Sequence, residues 1–207
     1  MVNSNEYCDG QYNDYNLYGP TNSIETLTNK RLKTLYLIQF IKGKKSLGAY
    51  EQIALRLDKE TSCSLKYFAE LTRLDPDLFC AFRGLTRIQI SFNHRLKSLM
   101  VDGLFNGLKN LVSIDLSSNC LNELNWNIFD GLINLNELDL SKNCLSNLDS
   151  RIFQCLFSLK KIDLSYNRLG IIEAGLFLGL KNLVAVDLRH NNLRHFCLND
   201  FKGCLID

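Results

Sequence analysis

The sequence predicts an α/β solenoid, a curved array with a parallel β-sheet along its concave side and short helical or irregular turns along its convex side. Two observations carry this. Asn119, Asn143, Asn167 and Asn191 recur at a step of 24 residues, and Phe129, Phe153, Phe177 and Phe201 keep the same step. Within each period, as in Leu135-Asn136-Glu137-Leu138-Asp139-Leu140, apolar residues alternate with period two. That alternation marks a short, half-buried strand. A chain that returns to the same edge in so few residues stacks its strands in parallel, about 4.8 Å apart. Composition agrees with an ordered chain: 46% is hydrophobic and 22% charged. A net charge of +2 makes no case for nucleic acid or for an anionic membrane surface.

In chain order, residues 1–20 carry Tyr among Asn, Asp and Gly without periodicity and read as an irregular or flexible lead-in. An adhesive or phosphorylated tyrosine segment is the alternative. Over 21–62 a faint repeat appears. Asn22-Ser23-Ile24-Glu25-Thr26-Leu27, followed by Leu32, has the shape of the later units, and Lys45 to Leu55 is a poorer echo. Degenerate repeats and an N-terminal cap both fit. From 63 to 207 about six units follow. Leu71, Leu74 and Phe79 open the series, and the unit from Leu85 to Asn110 is 26 residues long, with extra residues on both sides of Leu96-Leu99. Four regular units complete it, the last with nothing following to cap it. Insertions of this kind are tolerated where the chain is a surface turn.

No apolar run reaches the ~18 residues of a membrane-spanning helix, so no membrane insertion is expected within this chain. The polar start is wrong for a secretory signal, and Lys30 to Ile41 imitates one only poorly. The eight cysteines form no C-x-x-C pair, and no N-x-[ST] acceptor occurs. His94, His190 and His195 have no partners at catalytic or metal spacing, and phosphate loops and nucleophile elbows are missing. Neither an enzyme nor a cofactor is expected.

The unit L-x-x-L-x-L-x-x-N-x-L, with Phe five residues after the second variable leucine, resembles the "typical" 24-residue class of animal extracellular leucine-rich repeats. The resemblance is firm over 85–207, good over 63–84 and weak before that. Proteins of this class include Toll-type receptors, Slit-like guidance factors, chaoptin-like adhesion proteins and glycoprotein-hormone-type receptors. It implies that Asn93, Asn119, Asn143, Asn167 and Asn191 point inward as a ladder satisfying buried backbone groups. Phe79, Phe105, Phe129, Phe153, Phe177 and Phe201 form an aromatic spine. It also implies a protein ligand or receptor as partner, rather than nucleic acid, and an extracellular or cell-surface setting as part of a longer ectodomain. The cysteine-rich caps usual in such proteins are not seen. An intracellular repeat scaffold or enzyme inhibitor is the second reading, and homophilic adhesion through the lateral edge the third.

Outward positions of the concave strands are Arg87, Gln89, Ser91 and Phe92; Ser113, Ser117 and Ser118; Glu137, Ser141 and Lys142; Lys161, Ser165 and Tyr166; Ala185, Arg189 and His190. Among them Arg87, Gln89, Phe92, Glu137, Lys142, Lys161, Tyr166, Arg189 and His190 are the candidate ligand contacts, because exposed aromatic and charged side chains carry most interface energy. Asp115, Asp139, Asp163 and Asp187 recur in every unit, and repetition at each rung marks the repeat more than a metal site. Cys120 and Cys144 occupy the same place in consecutive units, so a disulfide and a pair of free thiols both fit. Cys63 with Cys80 is a second pairing the spacing permits, and Cys204 takes a core leucine position.

Overall fold

The computed structural model describes residues 62–66, 71–74, 76, 78–79, 82–195 and 205–206. The lead-in, the region 21–62 apart from Ser62, Phe201, Cys80 and Cys204 lie outside these. The main sheet has seven parallel strands in the order β1 (Ser62–Lys66), β2 (Arg87–Ser91), β4 (Ser113–Asp115), β6 (Glu137–Asp139), β7 (Lys161–Asp163), β8 (Ala185–Asp187) and β9 (Leu205–Ile206). Strand order follows chain order throughout, so each turn packs only on its neighbours and the architecture is a solenoid.

Register follows the repeat with two exceptions. Ser113, Glu137, Lys161 and Ala185 stand opposite one another at the regular step, while Arg87 meets Ser113 across the longer unit. Leu205 stands opposite Ala185, only 20 residues on, so the last rung is four residues shorter than the repeat predicts. β1 was not legible as a strand in advance. Its Cys63 and Leu65 pair with Ile88 and Ile90, and both are buried.

Among the described residues there is no α-helix. The side away from the main sheet consists of turns, joined once by a two-stranded parallel pair, β3 (Ser98–Leu99) with β5 (Glu123–Leu124). The short helical turns expected there are replaced by hydrogen-bonded turns such as Leu108 N–H to Phe105 O, 3.2 Å, and Leu156 N–H to Phe153 O, 3.0 Å. Each period leaves too few residues beyond the strand for a stable helix.

Behind the sheet, Phe79, Phe105, Phe129, Phe153 and Phe177 stack in a column, with centroids 5.9, 6.3, 6.3 and 6.0 Å apart. All five are buried. Large rings at this spacing fill the gap that one strand step opens behind the sheet, and they dominate its buried area. Between spine and strands lie Leu and Ile layers such as Leu111, Ile114, Leu116, Leu135, Leu138 and Leu140.

The asparagines close the other side of the core. Asn143 Nδ2 donates to Leu116 O and Leu140 O, each at 3.0 Å, and its Oδ1 accepts from Leu121 N–H at 3.0 Å. Asn167 and Asn191 repeat this, donating to Leu140 and Leu164 O on the preceding turn and accepting from Leu145 and Leu169 N–H. One amide thus satisfies buried backbone groups of two turns, each costing about 1–3 kcal/mol if left unpaired.

Candidate functional site

The outer face of the sheet is built in columns. Arg87, Ser113, Glu137, Lys161 and Ala185 form the first, held in register by strand pairing. Arg87, Glu137 and Lys161 are exposed, while Ser113 and Ala185 are half-buried. Gln89, Asp115, Asp139, Asp163 and Asp187 form the second column and are half-buried.

The carboxylates have a local task. Oδ1 of Asp115, Asp139, Asp163 and Asp187 accepts the backbone N–H two residues on, from Ser117 at 2.9, Ser141 at 2.8, Ser165 at 2.9 and Arg189 at 3.0 Å. This is the Asx-type bond that short acidic side chains make at the start of a turn. At the row's ends the second oxygen is also engaged. Gln89 donates its amide to Asp115 Oδ2, and Arg189 forks onto Asp187. The Arg189 hydrogen bonds hold the Asp187 carboxyl below its ordinary value. Asp139, in the middle, is pushed up, first by burial and further by Asp163 and Asp115, against the lowering pull of Ser141. Among the described residues no group of His, Cys, Asp and Glu could hold a metal ion.

Just past the strands runs a third column that sequence reasoning did not anticipate in its geometry. Phe92, Ser118, Lys142, Tyr166 and His190 all adopt left-handed backbone, with φ of 61, 55, 54, 54 and 57°. For residues other than Gly this costs roughly 1–2 kcal/mol each. It is sustained because the reversed chain aims the next residue, the ladder Asn, into the core. It also lets each N–H reach the next turn: Ser118 to Ser141 O at 3.0 Å, Lys142 to Ser165 O at 2.9 Å and Tyr166 to Arg189 O at 2.9 Å. The geometry brings Lys142, Tyr166 and His190 together. The Tyr166 and His190 rings stack at 4.1 Å, and Lys142 Nζ lies 6.0 Å from the Tyr166 centroid. Phe92 is separated from them by buried Ser118.

The serines require a correction. Ser91, Ser117, Ser118, Ser141 and Ser165, read as outward, are all buried. The Asp-capped turn folds them under the column, where Ser117 Oγ donates to Asp115 Oδ1 at 2.6 Å. Ser91 has no such partner, because Gln89 stands where Asp stands elsewhere, and its hydroxyl is buried and unpaired.

The cysteine pairings are likewise corrected. Cys63 and Cys120 are buried free thiols, so neither the Cys120–Cys144 nor the Cys63–Cys80 bridge is formed. Burial pushes the Cys63 thiol up to about 12. Cys120 is also raised by burial, against the lowering influence of Lys97 and Arg168.

A second asparagine column also escaped the sequence reading. On the flank where the chain enters each strand, Asn110, Asn134 and Asn182 donate to the Arg83, Lys109 and Phe157 carbonyls of the preceding turn, at 3.1, 2.9 and 2.7 Å. Their common step of 24, broken once by Ser158, was the available signal.

A leucine rich repeat family model matches residues 83–145, 121–169, 133–193 and 158–204 in overlapping copies, more than half of the chain in all. Comparison with curated protein sequences finds no match. Among solved structures, the leucine-rich repeat domain of APL1B is similar at TM-score 0.59 and 21% identity, covering 73% of this chain and 44% of that one. TLR13 in its complex with ssRNA13 is similar at TM-score 0.55 and 25% identity, covering 74% of this chain and 25% of that one. The chain therefore spans less than half the length of either structure.

Proposed function

The chain belongs to the leucine-rich repeat family, and from that premise we propose that it is a non-catalytic module whose outer sheet face binds a protein ligand, as part of a receptor or adhesion ectodomain. One observation carries the reading. The Asp column, the ladder and the spine repeat from turn to turn, whereas Arg87, Ser113, Glu137, Lys161 and Ala185 differ at every rung of the same rigid, in-register frame. A varied surface on a repeated frame is what recognition by solenoids uses. Lys142, Tyr166, Arg189 and His190 extend this surface with an exposed aromatic pair and a cationic rim, the residue types enriched at interface hot spots. The acidic row running down the middle opposes a phosphate backbone, which favours protein over nucleic acid.

The test is a photo-crosslinking amino acid placed at Lys161 or Tyr166 and, as a control, at exposed Glu173 in the turn before Phe177. A discrete protein adduct is expected from the sheet-face positions only, and lost when Arg87→Glu and Lys161→Glu are combined. Equal adducts from all three positions would sink the surface assignment, and an RNA adduct would replace the protein reading. A second reading, an intracellular scaffold or inhibitor, draws on the free thiols of Cys63, Cys120 and Cys155, which suit a reducing compartment. Mass spectrometry of alkylated protein from its natural source decides between them: a bridged Cys63 or Cys120 removes the second reading.

A further inference from the structure

The flank where the chain enters each strand differs in chemistry from the sheet face. Its five segments, 83–86, 107–112, 131–136, 155–160 and 179–184, contain Arg83, Lys109, Lys160 and Lys181 and no carboxylate. The four cations are all exposed. The same segments expose Ile133 at 46%, Phe157 at 56% and Val184 at 50%. Ile133 and Phe157 hold the same place in consecutive turns. Asn182 Nδ2 on Phe157 O at 2.7 Å and Val184 N–H on Lys160 O at 2.8 Å draw the last three turns into one surface. Beside it runs a shallow groove lined by Thr86, Asn110, Val112, Asn134, Asn136 and Ser158. It ends at Ser158, where the asparagine column is interrupted and no side chain among the described residues is bonded to the Ile133 carbonyl. The asparagine amides donate inward, so their oxygens are left for donors arriving from outside.

We infer that this flank is a second docking surface, distinct from the sheet face, for a protein partner that presents large apolar side chains ringed by Asp and Glu. The apolar side chains seat against Ile133, Phe157 and Val184, and the carboxylates meet Lys109, Lys160 and Lys181. An apolar centre with a charged rim is the ordinary anatomy of a specific interface. The charge selects its partner: four cations with no acid among them repel a second flank of the same kind and attract a carboxylate-bearing one. The donor-seeking asparagine oxygens favour a peptide chain, with its N–H groups, over a lipid surface.

The inference is tested with a phage-displayed random peptide library selected on the full chain. Enriched peptides are expected to combine Phe, Leu or Ile with Asp or Glu. Their affinity should fall at least tenfold with Phe157→Ser, and again with Lys160→Glu plus Lys181→Glu. It should be unchanged by Arg87→Glu plus Lys161→Glu on the sheet face, so that failure here is separable from failure of the proposed function. Enrichment of peptides without acids, no enrichment, or peptides sensitive only to the sheet-face changes would each overturn the assignment. So would co-sedimentation with phosphatidylserine vesicles that depends on the same lysines, which makes the flank a membrane surface. A self-association lost in Phe157→Ser would make the partner a second copy, against the charge argument.

Discussion

The turn that begins at Leu85 and those that begin at Leu111 and Leu135 build the same frame by different means. In the regular turns the ladder oxygen accepts from the N–H two residues past the neighbouring Asn, as Asn143 Oδ1 does from Leu121 at 3.0 Å. In the longer turn an inserted residue removes that donor, and Asn119 Oδ1 accepts from the N–H of Asn93 itself at 2.8 Å. The spine is untouched, with Phe79–Phe105 and Phe105–Phe129 at 5.9 and 6.3 Å. The difference appears in the capping bond instead: Gln89 replaces Asp, its amide turns to Asp115, and Ser91 is left orphaned. A length change is thus absorbed where a hydrogen bond can find another partner, while close-packed rings admit no such substitution.

The sharpest way to break this comparison is in the spine. Phe129→Ala, in the middle of the stack, is expected to cost about 4 kcal/mol, read as a drop in the urea midpoint followed by circular dichroism. Asn143→Ala is expected to cost about 3 kcal/mol, because the Leu121 N–H and the Leu116 and Leu140 carbonyls lose their buried partner. If Asn119→Ala costs far less, the longer turn does not use the ladder as the regular ones do. Ser117→Ala should cost about 1 kcal/mol through its lost bond to Asp115, whereas Ser91→Ala should be neutral or slightly stabilising, since it removes an unpaired hydroxyl. Equal losses at the two serines would contradict the account of the orphan.

The smallest effect concerns pH. The folded pKa of Asp139 is raised, so its contribution is favourable while protonated and lost as pH rises through that raised value. Asp139→Asn, whose side-chain oxygen can still accept from Ser141 N–H, should raise the midpoint at pH 7 by less than about 1 kcal/mol. The gain should shrink as pH falls into the carboxylate range. Asp187, lowered by Arg189, behaves oppositely, with stability present above its ordinary value and lost as pH falls. A gain from Asp139→Asn that is the same at every pH would remove electrostatics as its cause.

What the amino-acid order determined on its own is whatever recurs. The strand leucines, the asparagines from Asn93 to Asn191 and the phenylalanines from Phe79 to Phe177 declare themselves because a stacked solenoid needs one of each per turn, and periodicity survives in one dimension. What only the tertiary structure decided is which way the intervening residues face. Ser117, Ser141 and Ser165 sit between outward neighbours in sequence, yet the aspartate cap and the left-handed residue that follows fold them inward. β1 lacked a ladder pattern and is defined by its pairing with β2, and β9 forms four residues early by docking on β8. In each case the deciding partner is a backbone group of the adjacent turn, some 20 to 26 residues away in sequence. That distance is bridged only once the turns are stacked.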